Sequence, residues 1–419
     1  MIKKKNILLI VIDCLRADFT YNPQKAHIPN ITKLKNEGYS FLNTIASTST
    51  TTPNFTCLFT GLYPFEHGVR SQSGYRLRGK FTTLPEVLKK NGYNTYAEFT
   101  GPLIKEIGLS KGFDEYNLRG AKKTIHTQWG CELINKFKEY YKEPWFVCLH
   151  IWSLHLPRII TKGCNRKKYG LTIYGRALSS IDIYLEKLLN TQCDDTLIIL
   201  IGDHGEKTAY SKFEYFGKRI IKFLFRRMKK FRITKKYFSK GVRDILIGHG
   251  YSIYDELIKI PFILHNKDLI PQGESACQIR QIDIFPTILD IIGINYNKEI
   301  TGKSALPIIK GTDCSNRDAY IEAVGVIIPS KDEWLTGLRI DNKYKFIYAP
   351  FQEDFEDELY FLKDDPGERY NVAKENKSLT DKFKKKIKEM RTERMVGEKI
   401  DEDSEKKIVE MLRNLGYMD

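Results

Sequence analysis

Thr196-Leu197-Ile198-Ile199-Leu200-Ile201-Gly202, followed at once by Asp203-His204-Gly205-Glu206, is the stretch from which the rest of the chain is read. Its apolar residues run on without polar alternation, and several are β-branched. That pattern belongs to a strand buried on both faces, as in a parallel sheet covered by helices. Asn6 to Ile12 repeats it and ends on Asp13. Trp145 to Trp152 repeats it again, with His155 just past its end and His150, inside the run, read as core. In open α/β sheets, ligands sit beyond the carboxyl ends of the strands. One aspartate after a strand is commonplace. Three strands that each run into a metal- or proton-competent side chain point to a site built across one sheet edge.

Between the first and second of these strands lies Ser49-Thr50-Thr51-Thr52-Pro53-Asn54-Phe55, a loop running into a helix that closes on Gly61. Pro53 suits the first helical position, which places Thr51 or Thr52 as the cap. For an isolated motif that is all such a threonine does. Near the strand ends, however, the positive end of the helix also stabilises an alkoxide and the anion it attacks.

The remaining elements fit the same layers. Pro29 to Gly38, Leu84 to Asn91, Gln128 to Tyr141, Tyr174 to Leu189 and a segment from Asp283 to Gly293 have helical periodicity or helix-end signals. Tyr93 to Phe99, leading into Thr100-Gly101-Pro102, and Ile260 to Leu264 are further strands. After residue 315 the character changes to short strands at Leu338–Ile340, Lys345–Ala349 and Glu358–Leu362, then to charged helices from Lys374. The expectation is an α/β catalytic domain over 1–315, doubly wound and mostly parallel with helices on both faces. A smaller α+β subdomain follows over 316–419.

A chain of 419 residues has room for this architecture. Its longest apolar runs are about eight residues, short of the roughly 20 a spanning helix needs. Lys3-Lys4-Lys5 before the first strand imitates a signal peptide, but the apolar part is short and has no small-residue cleavage site. The expected location is cytoplasmic. The eight cysteines have no metal-type spacing and read as reduced thiols. The net charge of +16 is concentrated between Lys207 and Asp244, where fourteen Lys and Arg face two acidic residues. Within 207–247, the run 217–231 has Ile220, Ile221, Leu224, Met228 and Phe231 at helical spacing amid basic residues. A basic amphipathic helix of this kind packs on its own domain, clamps an anionic substrate, or meets anionic lipid at the inner membrane surface. No nucleic-acid motif accompanies it.

Ordered motifs extend over nearly the whole chain. They include Asn6–Asp13 with Leu15-Arg16-Ala17-Asp18, Thr51-Thr52-Pro53 through Thr60-Gly61-Leu62-Tyr63-Pro64, and His67-Gly68-Val69. Asp203-His204-Gly205-Glu206, Gly248-His249-Gly250, Asp283-Ile284-Phe285-Pro286-Thr287 and Asp365-Pro366-Gly367-Glu368 follow. In this order they resemble the sulfatase branch of the alkaline phosphatase superfamily. The resemblance implies an alkaline-phosphatase-like fold and one divalent metal ion, Ca²⁺, Mg²⁺, Mn²⁺ or Zn²⁺. Its ligands would be Asp13, Asp203 and His204, with the nucleophile Thr51 as a further ligand. His155 and His249 would face the ester as catalytic histidines, and Thr100, Arg70 and Gln72 would contact substrate.

The departures from that family pattern are specific. Sulfatases carry Cys or Ser where Thr51 stands, matured to formylglycine, and Arg where Phe55 stands. Threonine is no substrate for that maturation. Cys14 replaces the second acidic residue after Asp13, and Thr100 occupies the position of a sulfate-binding lysine. A threonine nucleophile resembles instead the superfamily's phosphodiesterases and phosphoethanolamine-type transferases. The expectation is therefore a metal-dependent hydrolase or transferase of phosphate esters, lipid-linked or polymeric. With one metal site legible, diesters are favoured. Two other readings compete: a sulfuric ester hydrolase with an unmodified threonine, and a catalytically weak protein that binds anions or a membrane surface.

Overall fold

The computed structural model describes residues 4–192, 194–208, 248–391 and 397–415. The expected basic helix, and any lipid or substrate contact through 217–231, lies outside the described residues. Their strands are β1 (Asn6–Ile12), β2 (Tyr39–Ile45), β3 (Tyr75–Arg76), β4 (Asn94–Phe99), β5 (Glu115–Leu118), β6 (Trp145–Ile151) and β7 (Thr196–Gly202). Then follow β8 (Lys259–His265), β9 (Gly273–Arg280), β10 (Ala319–Ala323), β11 (Leu335–Ile340), β12 (Tyr344–Tyr348), β13 (Glu358–Phe361) and β14 (Glu398–Lys399).

The main sheet has the order β5-β4-β6-β1-β7-β8-β2-β9. β8 runs antiparallel to both of its neighbours, and the other pairings are parallel. The unbroken apolar strands are explained by two cores, one on each face. Ile7, Leu9 and Val11 of β1 join one core, and Leu8, Ile10 and Ile12 join the other. The helices Thr51–Thr60, Leu84–Lys90 and Ile284–Ile291 fill the first; Pro29–Glu37, Gln128–Glu139 and Ile173–Leu189 fill the second.

Register carries the site. Ile12 pairs with Ile151 of β6 and with Gly202 of β7. The next residues out of these three parallel strands, Asp13, Trp152 and Asp203, therefore leave the sheet at one level. β2 and β4 end on the same edge, where they deliver the Thr51 loop and Thr100.

Antiparallel strands β10 to β13 form the second sheet. With the Lys377–Met390 helix it shares a third core that also takes Cys57, Tyr63 and Phe65 from the catalytic part. Short strands and charged helices are thus present where expected after residue 315. The chain then returns: β14 pairs with β3, just beyond the Thr51 helix. No helix among the described residues is long and apolar enough to cross a membrane, and their cysteines are free thiols.

One buried carboxylate ties two helices of the second layer. Asp182, on the Ile173–Leu189 helix, accepts from Asn30 N at 3.1 Å, Ile31 N at 2.8 Å and Asn30 Nδ2 at 2.9 Å. It thereby caps the Pro29–Glu37 helix, whose first N–H groups have no partner within the helix. Asp182→Ala leaves those donors buried and unpaired. The expected cost is about 2–4 kcal/mol, read as a lower urea midpoint with an unchanged slope.

Candidate active site

The Thr51–Thr60 helix starts earlier than its proline suggests. Thr50 takes the cap position with extended backbone, Thr51 is the first helical residue, and Pro53 comes third. Proline fits there because the first four N–H groups of a helix lack intrahelical acceptors in any case. The capping bond comes from elsewhere: Gln72 Oε1 accepts from Thr52 N at 2.9 Å. Asn54 holds the preceding loop through Thr48 O at 2.7 Å. So Thr51 is fully buried, with its hydroxyl over the strand ends.

Thr51 Oγ1 lies 3.3 Å from Asp13 Oδ2 and 3.3 Å from His204 Nε2. Asp203 Oδ1 accepts from Cys14 N at 3.1 Å and His204 N at 2.7 Å, which leaves Oδ2 facing inward. His150 joins this group. It pairs with Val11 in the sheet, so its side chain leaves β6 on the Thr51-helix face, the face of Asp13 as well. Its ring packs edge-on against Phe55 at 5.1 Å, and its Nε2 is 3.4 Å from Asp13 Oδ2. The sequence reading placed His150 in the core. The signal it carries is parity: one residue before the end of a parallel strand, a side chain shares the face of the first residue beyond its paired neighbour.

Four histidines meet here with one tautomer. Nδ1 faces a backbone carbonyl in each: Thr100 O for His150 at 3.0 Å, Leu156 O for His155 at 2.7 Å, Gly205 O for His204 at 2.8 Å, and Ser49 O for His249 at 3.2 Å. Such outer contacts orient an imidazole so that Nε2 carries the lone pair toward the centre. The rings form a continuous row. Trp152 stacks on His155 with centroids 4.0 Å apart, His155 and His249 are 5.3 Å apart, and His249 and His204 are 4.3 Å apart.

This arrangement fits a cation. Nε2 of His150 faces Asp13 Oδ2, and Nε2 of His204 faces Asp203 Oδ2, both at 3.4 Å. Each pair sets one acceptor against another, which is stable only with a positive charge between them. Among the described residues, Asp13 Oδ1, Asp203 Oδ2 and His150 Nε2 are also buried without a hydrogen-bond partner. Asp13, His150 and Asp203 each offer a ligand atom within 4.8 Å of the others, and so do Cys14, His204 and His249. Carboxylate and imidazole donors suit several divalent ions.

Electrostatics follow burial. Burial and the adjacent Asp13 charge push the Asp203 carboxyl up to about 6, against the pull of His204. Burial would also raise Asp13, but contact with His150 and the neighbouring His155 and His204 imidazoles outweigh it and hold its carboxyl well below the usual range. Burial drives His155 down to about 4 and His249 well below its ordinary value, so both are neutral at pH 7.

The three residues expected to contact substrate sit differently. Gln72 caps the Thr51 helix and keeps Nε2 buried without a partner among the described residues. Thr100 donates its hydroxyl to Arg119 O at 2.9 Å and uses its carbonyl to hold His150. Arg70 lies 3.6 Å from Glu322 and over the Trp334 ring at 4.7 Å. Beyond the row, Arg158 pairs with Glu206.

Gly101 supports the row from below. Its φ of +76° is the left-handed region, and an added Cβ would collide with the Trp152 ring. Gly101→Ala is expected to cost about 2–4 kcal/mol, and to lower turnover several-fold because Trp152 carries His155. Thermal melting together with kcat checks it.

The family model described as Sulfatase matches residues 5–294, and that of N-sulphoglucosamine sulphohydrolase, C-terminal, matches residues 250–393. The Delta 4,5-hexuronate-2-O-sulfatase of Bacteroides thetaiotaomicron is 25% identical over 47% of this chain and 34% of its own. The Ulvan-active sulfatase of Formosa agariphila is 23% identical over 87% of this chain and 74% of its own. Among solved structures, the phosphonate monoester hydrolase of Agrobacterium radiobacter superposes with a TM-score of 0.70 at 17% identity. It covers 94% of this chain and 96% of that one.

Proposed function

The chain belongs to the sulfatase family of hydrolases, and on that premise we propose that it cleaves phosphate esters with a divalent ion and Thr51 as nucleophile. One observation carries the reading: the Thr51 hydroxyl, at a helix start, lies 3.3 Å from both Asp13 Oδ2 and His204 Nε2. Asp13, Asp203, His204 and the hydroxyl itself would hold the ion. A bound divalent ion would lower the hydroxyl's pKa and offset the charge of the ester.

The rest falls to the chain's own groups. The Thr51 N–H at the start of its helix and the buried Nε2 of Gln72 would supply donors for ester oxygens. Attack by Oγ1 in line with the leaving oxygen forms a phosphothreonine as the ester P–O bond breaks, and the hydroxyl proton ends on the departing alcohol. Water then attacks phosphorus and passes a proton to His155 Nε2, which returns it to Oγ1 as the bond from phosphorus to threonine breaks, releasing phosphate, or a phosphate monoester from a diester substrate.

The side chain at position 51 decides between phosphate and sulfate. An aldehyde hydrate has a second hydroxyl that, on losing its proton, re-forms the aldehyde as the C–O bond to the bound ester breaks. Threonine has none, so resolution must occur by displacement at the central atom, for which phosphorus is well suited. The basic segment 207–247 supports an extended anionic substrate, and an acceptor alcohol in place of water would make the protein a transferase.

A second reading, sulfate-ester hydrolysis by unmodified Thr51, is favoured by the named activities of both relatives above. A substrate panel of aryl phosphodiester, phosphomonoester and sulfate, quenched in acid and analysed by intact mass, separates the two. A phosphoryl adduct on Thr51 is the expected result. A sulfuryl adduct, or turnover of sulfate alone, establishes the second reading.

A further inference from the structure

We propose that a second cavity, away from the Thr51 centre, binds inorganic phosphate as its monohydrogen dianion. The cavity measures about 690 Å³ and opens between the catalytic part and the second sheet. Asn43 of β2 and Lys259 of β8 line one side; Arg339 of β11 and the turn 363–369 line the other. None of the residues given a role in the ester reaction borders it.

Charge is unevenly matched there. Six cationic side chains line the cavity against four carboxylates. Three of those carboxylates are committed to neighbours. Asp255 pairs with Arg339 at 3.0 Å and Lys345 at 3.2 Å, Glu256 with Arg16 at 2.9 Å, and Asp18 with Arg16 at 2.8 Å. Among the described residues, the side chains of Lys259, Lys363 and Arg369 have no carboxylate at ion-pair distance and make no hydrogen bond. Burial lowers the Lys259 ammonium from its ordinary value, a penalty that a bound anion would offset.

The fourth carboxylate stands apart. Glu368 is 7% exposed, and its Oε2 accepts from Asp255 N at 2.7 Å. Its Oε1 is buried, 3.5 Å from Lys345 Nζ, and has no hydrogen-bond partner among the described residues. The φ at Glu368 is +54°, so backbone strain is tolerated to hold this side chain at the cavity. Burial pushes its carboxyl up to about 7, with Lys345 and Arg339 opposing the rise and Asp255 adding to it. At pH 8 it is therefore mostly ionised.

A lone acceptor among surplus cations calls for a ligand that is anionic and also donates a hydrogen bond. Monohydrogen phosphate does both: its bare oxygens face the cations and its O–H meets Glu368 Oε1. Sulfate has the same charge and shape but no O–H, and the dianion of a phosphate monoester has none either. Each would set an oxygen against the Glu368 lone pair. The inference does not depend on the proposed reaction, because its readout is binding and not turnover.

The test is isothermal titration of the full chain in chelator at pH 8, with inorganic phosphate, sulfate and glycerol phosphate as probes. Chelator removes any ion that would draw phosphate to the Thr51 centre. One phosphate per chain is expected, bound about tenfold or more tighter than either other anion. Lys259→Met weakens phosphate binding by about tenfold or more. Glu368→Gln keeps the bond from Asp255 N through its amide oxygen and turns its N–H₂ toward the cavity, so sulfate binding improves and the preference for phosphate disappears. Melting curves verify that each variant folds; should Glu368→Gln fail to fold, the wild-type preference and Lys259→Met decide. No phosphate binding, equal affinity for phosphate and sulfate in the wild type, or phosphate binding that Lys259→Met leaves unchanged overturns the proposal.

Discussion

Thr51→Ala lowers kcat by about 10⁴-fold or more, the scale seen when a covalent nucleophile is removed, and leaves the melting temperature almost unchanged. The second half of that expectation follows from the position. Thr51 begins a helix and does not cap it, and alanine is the best helix former. The capping contact is made by Gln72 on Thr52, which the substitution does not touch. Thr51→Ser keeps the oxygen and should restore much of the rate, with a modest deficit from the loosened rotamer. Steady-state kinetics on the best substrate of the panel, alongside a thermal melt, read both quantities. A Thr51→Ala protein within tenfold of the parent would falsify the nucleophile assignment.

Asp203→Asn acts in opposite directions on the metal-free and metal-loaded protein. In the folded state burial holds the Asp203 carboxyl at about 6, above its unfolded value of 3.8. A carboxyl raised in this way favours folding less as pH rises through that window, because the native state loses a proton it had held. At pH 8 the ionised side chain therefore costs on the order of 3 kcal/mol in the metal-free protein, and asparagine removes that cost. In chelator, the variant should match the wild type near pH 4 and exceed it increasingly toward pH 8.

The difference between the two proteins is the quantity to follow, not the absolute stability. His155, His126 and His67 are buried with lowered values, so they destabilise the fold of both proteins as pH falls below the ordinary histidine range. With a divalent ion present the order reverses. The wild type gains stability from the ion, by an amount set by its concentration over the dissociation constant, and the asparagine variant does not. Its turnover should fall to the level of the chelated parent. Urea titrations in chelator and in metal, at pH 5 and pH 8, give all of these values.

Much of this is legible in the amino-acid sequence. The apolar runs ending on Asp13 and Asp203 announced strands buried on both faces, and each is flanked by two cores. The family motifs extended that reading over the whole chain. The helix start was misread by a few residues because proline is tolerated throughout the first turn, so Pro53 alone does not mark its beginning. Thr100 was matched to a substrate-binding position by alignment with a lysine, but its hydroxyl is engaged with Arg119 O. A local motif shows where a residue lies in the chain and not which partner its side chain has found.

By itself, the sequence determined that strands of this kind lie in a parallel sheet and carry their polar residues at one edge, because hydrophobic pattern is a local property with a fixed period. It also determined that position 51 is a threonine, which excludes maturation to formylglycine. Only the tertiary structure decided which side chains converge. His150 meets Asp13 because β6 and β1 pair in a register that puts both on one face. Cys14 meets His204 and His249 because a left-handed backbone, clamped by Asp203 and Tyr174, turns its sulfur toward them. Those partners are more than a hundred residues away in the chain, and contact at that separation is set by strand order and register, which no local pattern encodes.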